Sequence, residues 1–232
     1  MLDLIPSSLP MWFQVGAIAL WLGGVLLVAE IIRRWRGESE LVRKVVHIGT
    51  GNIIVLAWGL RIPLWVCLIA CISFCIITYI SYHKPILPML NSVGRKTLGV
   101  FYYAVSITVL VAYFWSINQP EYAVVGILVM AWGDGLAALI GQKWGKHPYI
   151  FMDSQKTWEG SGAMLVTSYI VLILVGAIAG NFSPLTWLIS LPVAIVATTL
   201  EAISPGGTDN LTVPLASGFL CYGLSIMAGI IA

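Results

Sequence analysis

Long apolar runs separated by short polar stretches organise this chain, and eight of them are long enough to cross a bilayer. A spanning helix needs roughly 20 mostly apolar residues, because the hydrocarbon layer is about 30 Å thick and a helix rises about 1.5 Å per residue. The pattern predicts spans over 11–32, 45–60, 62–81, 97–116, 121–142, 159–180, 185–203 and 210–231. The run at 45–60 is the shortest and carries His47. None of the runs alternates polar and apolar residues, which disfavours strands and an outer-membrane barrel. The expected fold is therefore all-α, a polytopic membrane bundle of about eight transmembrane helices. The first run exceeds a signal-peptide core and follows no basic stretch, so it reads as a retained helix.

Composition agrees with that pattern: 59% of residues are hydrophobic and only 9% charged, against about 25% charged in soluble domains. Charge placement then sets an orientation, since Lys and Arg are retained in cytoplasmic loops. Arg33, Arg34, Arg36, Arg43 and Lys44 follow the first span; Lys84, Arg95 and Lys96 follow the third; Lys143, Lys146 and Lys156 follow the fifth. Of the twelve basic residues, Arg61 alone falls on the other face. Eight spans with the N-terminus outside satisfy this bias. A net charge of +2 gives no surface for nucleic acid, and no loop is large enough for a soluble domain. The chain reads as one integral domain over 1–232, without linkers or repeats. Cys67, Cys71 and Cys75 recur every fourth residue and read as a packing stripe.

The informative residues are polar ones inside spans. An ionised group at a helix centre costs at least about 2.5–3.5 kcal/mol and calls for a partner or a wet cavity. Asp134 sits between Gly133 and Gly135, about 12 Å of helix from the cytoplasmic end of its span. No basic residue falls inside the predicted helix cores, so a functional carboxylate is favoured over a structural ion pair. The flanking glycines leave space for a ligand or another backbone. Downstream, Gly141, Lys143, Gly145 and Lys146 suit phosphate binding, helix packing or interfacial anchoring, but they do not form a Walker A loop. Thr157 reads as an N-cap and Glu159 suits the positive helix end. Lys156 is out of place there unless a bound phosphate offsets it. Glu201 and Asp209 lie on the same membrane face as Asp134, with Gly206 and Gly207 between them. Pro214 cannot donate to the carbonyl of Asn210, which frees an oxygen ligand. Acids with oxygen donors beside lysines point to a hard-cation and phosphate site. His47 lies one turn beyond Arg43 on the same helical face. Glu30 and Glu121, at helix ends, read as interfacial.

Gly133-Asp134-x-x-Ala137-x-x-x-Gly141-x-x-x-Gly145-Lys146 and Lys156-Thr157-x-Glu159-Gly160-Ser161 resemble the core of membrane CTP-dependent lipid kinases and phosphatidate cytidylyltransferases. Arg43-Lys44-x-x-His47 and Asp209-Asn210-x-Thr212-x-Pro214 resemble the kinase branch: phytol, farnesol and dolichol kinases. The resemblance covers about 43–215, leaving 1–42 as a peripheral helix and basic loop. The cytidylyltransferase branch carries a His-Gly-Gly segment with paired acids; here Ser204-Pro205-Gly206-Gly207-Thr208-Asp209 has no His and one Asp. Gln142 stands where many relatives carry Arg.

The resemblance implies CTP, with UTP as an alternative donor, Mg²⁺ as cofactor and a long isoprenoid alcohol, phytol foremost, as acceptor. It implies tocopherol-type isoprenoid metabolism in a bacterial inner, thylakoid or plastid-type membrane, with the site on the cytoplasmic or stromal side. Asp134, Glu201 and Asp209 are the expected metal ligands. Lys156, Lys146, Lys143, Arg43, Lys44, Arg95 and Asn210 are the nucleotide-binding candidates; Glu159 could orient Lys156 or, like His47, serve as base. Membrane lipids are the expected surroundings, and a homodimer stays open. A CDP-lipid synthase and a small secondary transporter are the competing readings.

Overall fold

A computed structural model describes residues 9–37, 39–84, 98–151 and 154–231. Arg95, with Gly94 and Lys96, lies outside the described residues. In chain order the elements are α1 (Met11–Arg36), α2 (Glu40–Gly51), α3 (Ile53–Gly59), α4 (Leu64–His83), α5 (Gly99–Ser116), α6 (Pro120–Leu128), a π-helical turn (Val129–Asp134), α7 (Gly135–Trp144), β1 (Pro148–Phe151), β2 (Ser154–Thr157), α8 (Trp158–Ile178), α9 (Pro184–Ile203) and α10 (Asp209–Met227). Among the described residues, eight helical segments are long and apolar enough to cross a membrane. They fall on the eight predicted runs. The short second run becomes Glu40–Gly59, 20 residues long because its helix starts five residues before the apolar stretch. Twenty residues of helix span about 30 Å.

The central span joins α6, the π turn and α7 end to end. It is 67% buried over its most apolar stretch, against 6% for α1, which among the described residues packs mainly on α2 and α3. Lipid tails are as apolar as Leu, so close packing rather than hydrophobicity must hold such helices together. Glycine supplies it. A Cβ on Gly126 would collide with the Pro214 carbonyl, and one on Gly218 would stand 2.9 Å from the Tyr122 carbonyl. Backbones of α6 and α10 therefore meet, around a fully buried core of Leu110, Phe114, Ile127 and Val213.

Gly141 and Gly160 do the same for α7 and α8: a Cβ on Gly160 would lie 2.9 Å from the Ala137 carbonyl. The Gly141 motif is thus a helix-packing device. Gly133 and Gly135 do not open space for a ligand as expected. Their empty faces are filled by Met164 with Ser168 and by Ile48.

One strand pair departs from the all-helical expectation. β1 and β2 form an antiparallel hairpin with Pro148 opposite Thr157 and Tyr149 opposite Lys156. Four-residue strands are too short to leave a periodicity in a chain dominated by helical runs. Thr157 caps α8 by accepting from Gly160 N at 3.1 Å, as its position predicts.

Candidate active site

Five elements deliver ionisable groups to one end of the bundle: the π turn, α9 and α10 supply the acids, and α2 and β2 the bases. Asp134 closes the π turn, Glu201 lies in the last turn of α9, and Asp209 opens α10. One carboxylate oxygen from each lies within 4.8 Å of the others. The loop joining α9 to α10 makes this possible. Gly206 and Gly207 adopt φ of 62° and 87°, where a side chain would be strained, and a Cβ on Gly207 would stand 2.9 Å from Gly99 Cα. π turns recur where a helix must aim a functional residue. Here the turn ends on Asp134 itself.

Two lysines, Lys44 buried and Lys156 part-buried, face these acids. Lys44, 5% exposed, forms an ion pair with Asp134 and lies 3.9 Å from Glu40. Lys156 leaves β2 to pair with the Glu201 carboxylate and to donate to the Glu201 backbone carbonyl. That carbonyl is one of the last in α9, an end that lacks intrahelical donors and carries partial negative charge. One ammonium therefore satisfies both a carboxylate and a helix C-terminus. Asp209 Oδ1 accepts from the Asn210 N–H at 3.0 Å. His47 Nε2 stands 3.7 Å from Asp134 Oδ2.

Three carboxylates against two ammonium groups leave an excess of negative charge in a buried setting. All the donors are hard oxygens, the set that Mg²⁺ prefers. Octahedral Mg–O bonds of about 2.0–2.1 Å put ligand oxygens about 2.9–4.2 Å apart. The widest separation of 4.8 Å need close by only about 0.6 Å. The residues fit the ion.

The chain is 44% identical over 223 residues to phytol kinase of Synechocystis sp., with 96% of each chain covered. It belongs to the phytol kinase family. Relatives at lower identity include phytol kinase 1, chloroplastic, of Arabidopsis thaliana, 27% identical over 236 residues, covering 90% of this chain and 76% of that protein. Farnesol kinase, chloroplastic, of the same plant is 28% identical over 217 residues, covering 83% and 69%. No family model matches the chain, and no solved structure matches it significantly.

Within this member of the family, several expected site residues stand apart from the carboxylates. Glu159 does not orient Lys156. It accepts from the backbone N–H of Lys146 and His147 at 3.1 and 3.3 Å, and its Oε1 lies 2.7 Å from His147 Nδ1. Lys143 lies 4.5 Å from the centre of the Trp144 ring, and Lys146 is exposed; α7 separates both from Asp134. Arg43 turns outward to pair with Glu40. The Asn210 carbonyl freed by Pro214 accepts from the Ser106 hydroxyl at 3.0 Å.

Two further readings change. Lys156 needs no phosphate to explain its position, since Glu201 and the end of α9 already account for it. Asp134 does have a basic partner inside the bundle. Lys44 was assigned to the basic loop because the apolar run starts at Val45, yet α2 starts at Glu40 and carries Lys44 inward.

Proposed function

We propose that this chain is a membrane phosphotransferase that moves the γ-phosphoryl group of CTP, with UTP as the alternative donor, to the hydroxyl of a long isoprenoid alcohol, phytol foremost. The observation that carries this reading is the convergence of Asp134, Glu201 and Asp209 with buried Lys44 and part-buried Lys156, in a chain of the phytol kinase family.

Phosphoryl transfer depends mainly on positioning and on neutralising charge. Asp134, Glu201 and Asp209 would hold Mg²⁺, and the chemistry it would supply there is neutralisation of triphosphate charge. Lys44 and Lys156 exchange their carboxylate partners for phosphate oxygens when the nucleotide enters. The ligand-free ion pairs keep both ammonium groups pointed at the carboxylate cluster, so little reorganisation is needed. Lys143 and Lys146, farther out along α7, meet the nucleotide at its outer end. The alcohol oxygen bonds to the γ-phosphorus while the bond from that phosphorus to the β,γ-bridging oxygen breaks. CDP leaves, and the alcohol proton passes to His47. His47 is favoured over Glu159 as base because its Nε2 lies beside Asp134 whereas Glu159 is engaged with His147.

The carboxylates face the cytoplasmic or stromal side, supported by the basic residues that follow the first, third and fifth spans. The N-terminus then lies outside. The test is isotopic: purified chain is given phytol, Mg²⁺ and CTP labelled at either the α or the γ phosphate. The expected result is γ label in an organic-soluble phosphate monoester. Label from the α phosphate in the lipid would assign the chain to CDP-lipid synthesis instead.

A further inference from the structure

Two buried polar atoms beside the carboxylates have no hydrogen-bond partner: Tyr103 Oη on α5 and His47 Nε2 on α2. Their rings are in contact, with centroids 4.8 Å apart, and Tyr103 is only 4% exposed. Nε2 stands 3.7 Å from Asp134 Oδ2, beyond hydrogen-bonding distance. The phenol is seated over Gly51, where a Cβ would stand 2.9 Å from Tyr103 Oη and 2.5 Å from the Ala131 side chain. Ala131 precedes Asp134 by three residues in the π turn. Tyr103 Oη therefore lies near Ala131, three residues from Asp134 towards the middle of the central span.

A buried hydroxyl without a partner destabilises a protein, and Phe would pack at position 103 without that penalty. A substrate that completes the hydrogen bonding explains why the oxygen is there. The geometry points to Tyr103 as the group that receives and orients the acceptor hydroxyl, between its own Oη and His47 Nε2. This inference rests on the kinase reading above. An alcohol has one proton to donate and lone pairs to accept with, so it can donate to Nε2 while accepting from the phenol. A lone pair remains directed at the γ-phosphorus. The placement also suits the substrate class: an alcohol with a long apolar tail arrives from the lipid side and meets the phenol before the carboxylates. A site built to bond a hydroxyl in this way discriminates strongly against analogues that lack it.

The test is Tyr103→Phe in the full-length purified chain, assayed by γ-label transfer with phytol and CTP varied separately. The expected result is a fall of about tenfold or more in kcat/KM for phytol. KM for CTP should change by less than about twofold, because uniform loss of binding is confined to the altered partner. The thermal midpoint should stay level or rise, since an unpartnered hydroxyl has been removed. Ser217→Ala deletes another buried unpartnered hydroxyl, on α10, and should leave kcat/KM for phytol unchanged. Tyr103→Phe with kcat/KM for phytol within about twofold of wild type would overturn the inference alone, provided wild type transfers γ label. An activity loss that tracks a lowered midpoint, or a parallel rise in KM for CTP, overturns it as well. Wild type that transfers no γ label removes the kinase reading and this inference together.

Discussion

The two ends of α7 carry the same residue types in opposite settings. At the deep end Asp134 and Lys44 are buried against one another, with Glu201, Asp209 and Lys156 beside them. At the shallow end Lys143 lies against Trp144, and Glu159 ties His147 and the Lys146 backbone to the start of α8. Side-chain exposure is 6% for Lys44 and 75% for His147. Water screens the shallow pairs, so they contribute little. Breaking a buried pair leaves an uncompensated charge and costs about 3–5 kcal/mol. Burial therefore separates the groups proposed to hold the metal and the transferred phosphate from the solvent-exposed groups beside the hairpin. Motif spacing alone places Lys44, Lys143, Lys146 and Lys156 together as phosphate ligands.

The comparison breaks first at Asp134. Asp134→Asn should lower turnover on the order of 10³-fold or more, since even outer partners of metal ligands contribute 10–100-fold. Near-wild-type γ-label transfer in that variant would remove the deep end from the chemistry. Lys156→Met comes next, with a fall of roughly 10²-fold in kcat/KM for CTP. It should also lower the thermal midpoint, because Glu201 and the last carbonyls of α9 lose their cation. Adding Glu201→Gln to Lys156→Met should restore part of that midpoint, as coupled neighbours are non-additive. A simple sum of the two single effects would show that the pair is not coupled. Smallest of all, Glu159→Gln and Lys143→Ala should each change kcat/KM by less than about threefold. A loss in Glu159→Gln as large as that in Asp134→Asn would reverse the comparison.

The spans were legible because a bilayer imposes one strong rule, some 20 apolar residues per crossing. The three carboxylates were legible for a related reason, since acids near span ends on one face are rare enough to be noticed. Lys44 was not. Hydropathy starts the second span at Val45, while the helix starts at Glu40 and its burial depends on packing against α7. Lys156 was noticed as misplaced, but its partner Glu201 lies 45 residues away, beyond the reach of local pattern. The π turn leaves no periodic signature in a six-residue stretch. Phe101, Tyr102 and Tyr103 are consecutive aromatic residues, and only the fold distinguishes the buried, unpartnered phenol of Tyr103 from its neighbours.

Direct binding of a divalent ion tests the carboxylate cluster without relying on turnover. Mn²⁺ can stand in for Mg²⁺ and be followed by electron paramagnetic resonance on the full-length chain in detergent, with CTP present. The account expects one tightly held Mn²⁺ in wild type, and its loss in each of Asp134→Asn, Glu201→Gln and Asp209→Asn. Binding that survives unchanged in all three variants would contradict it.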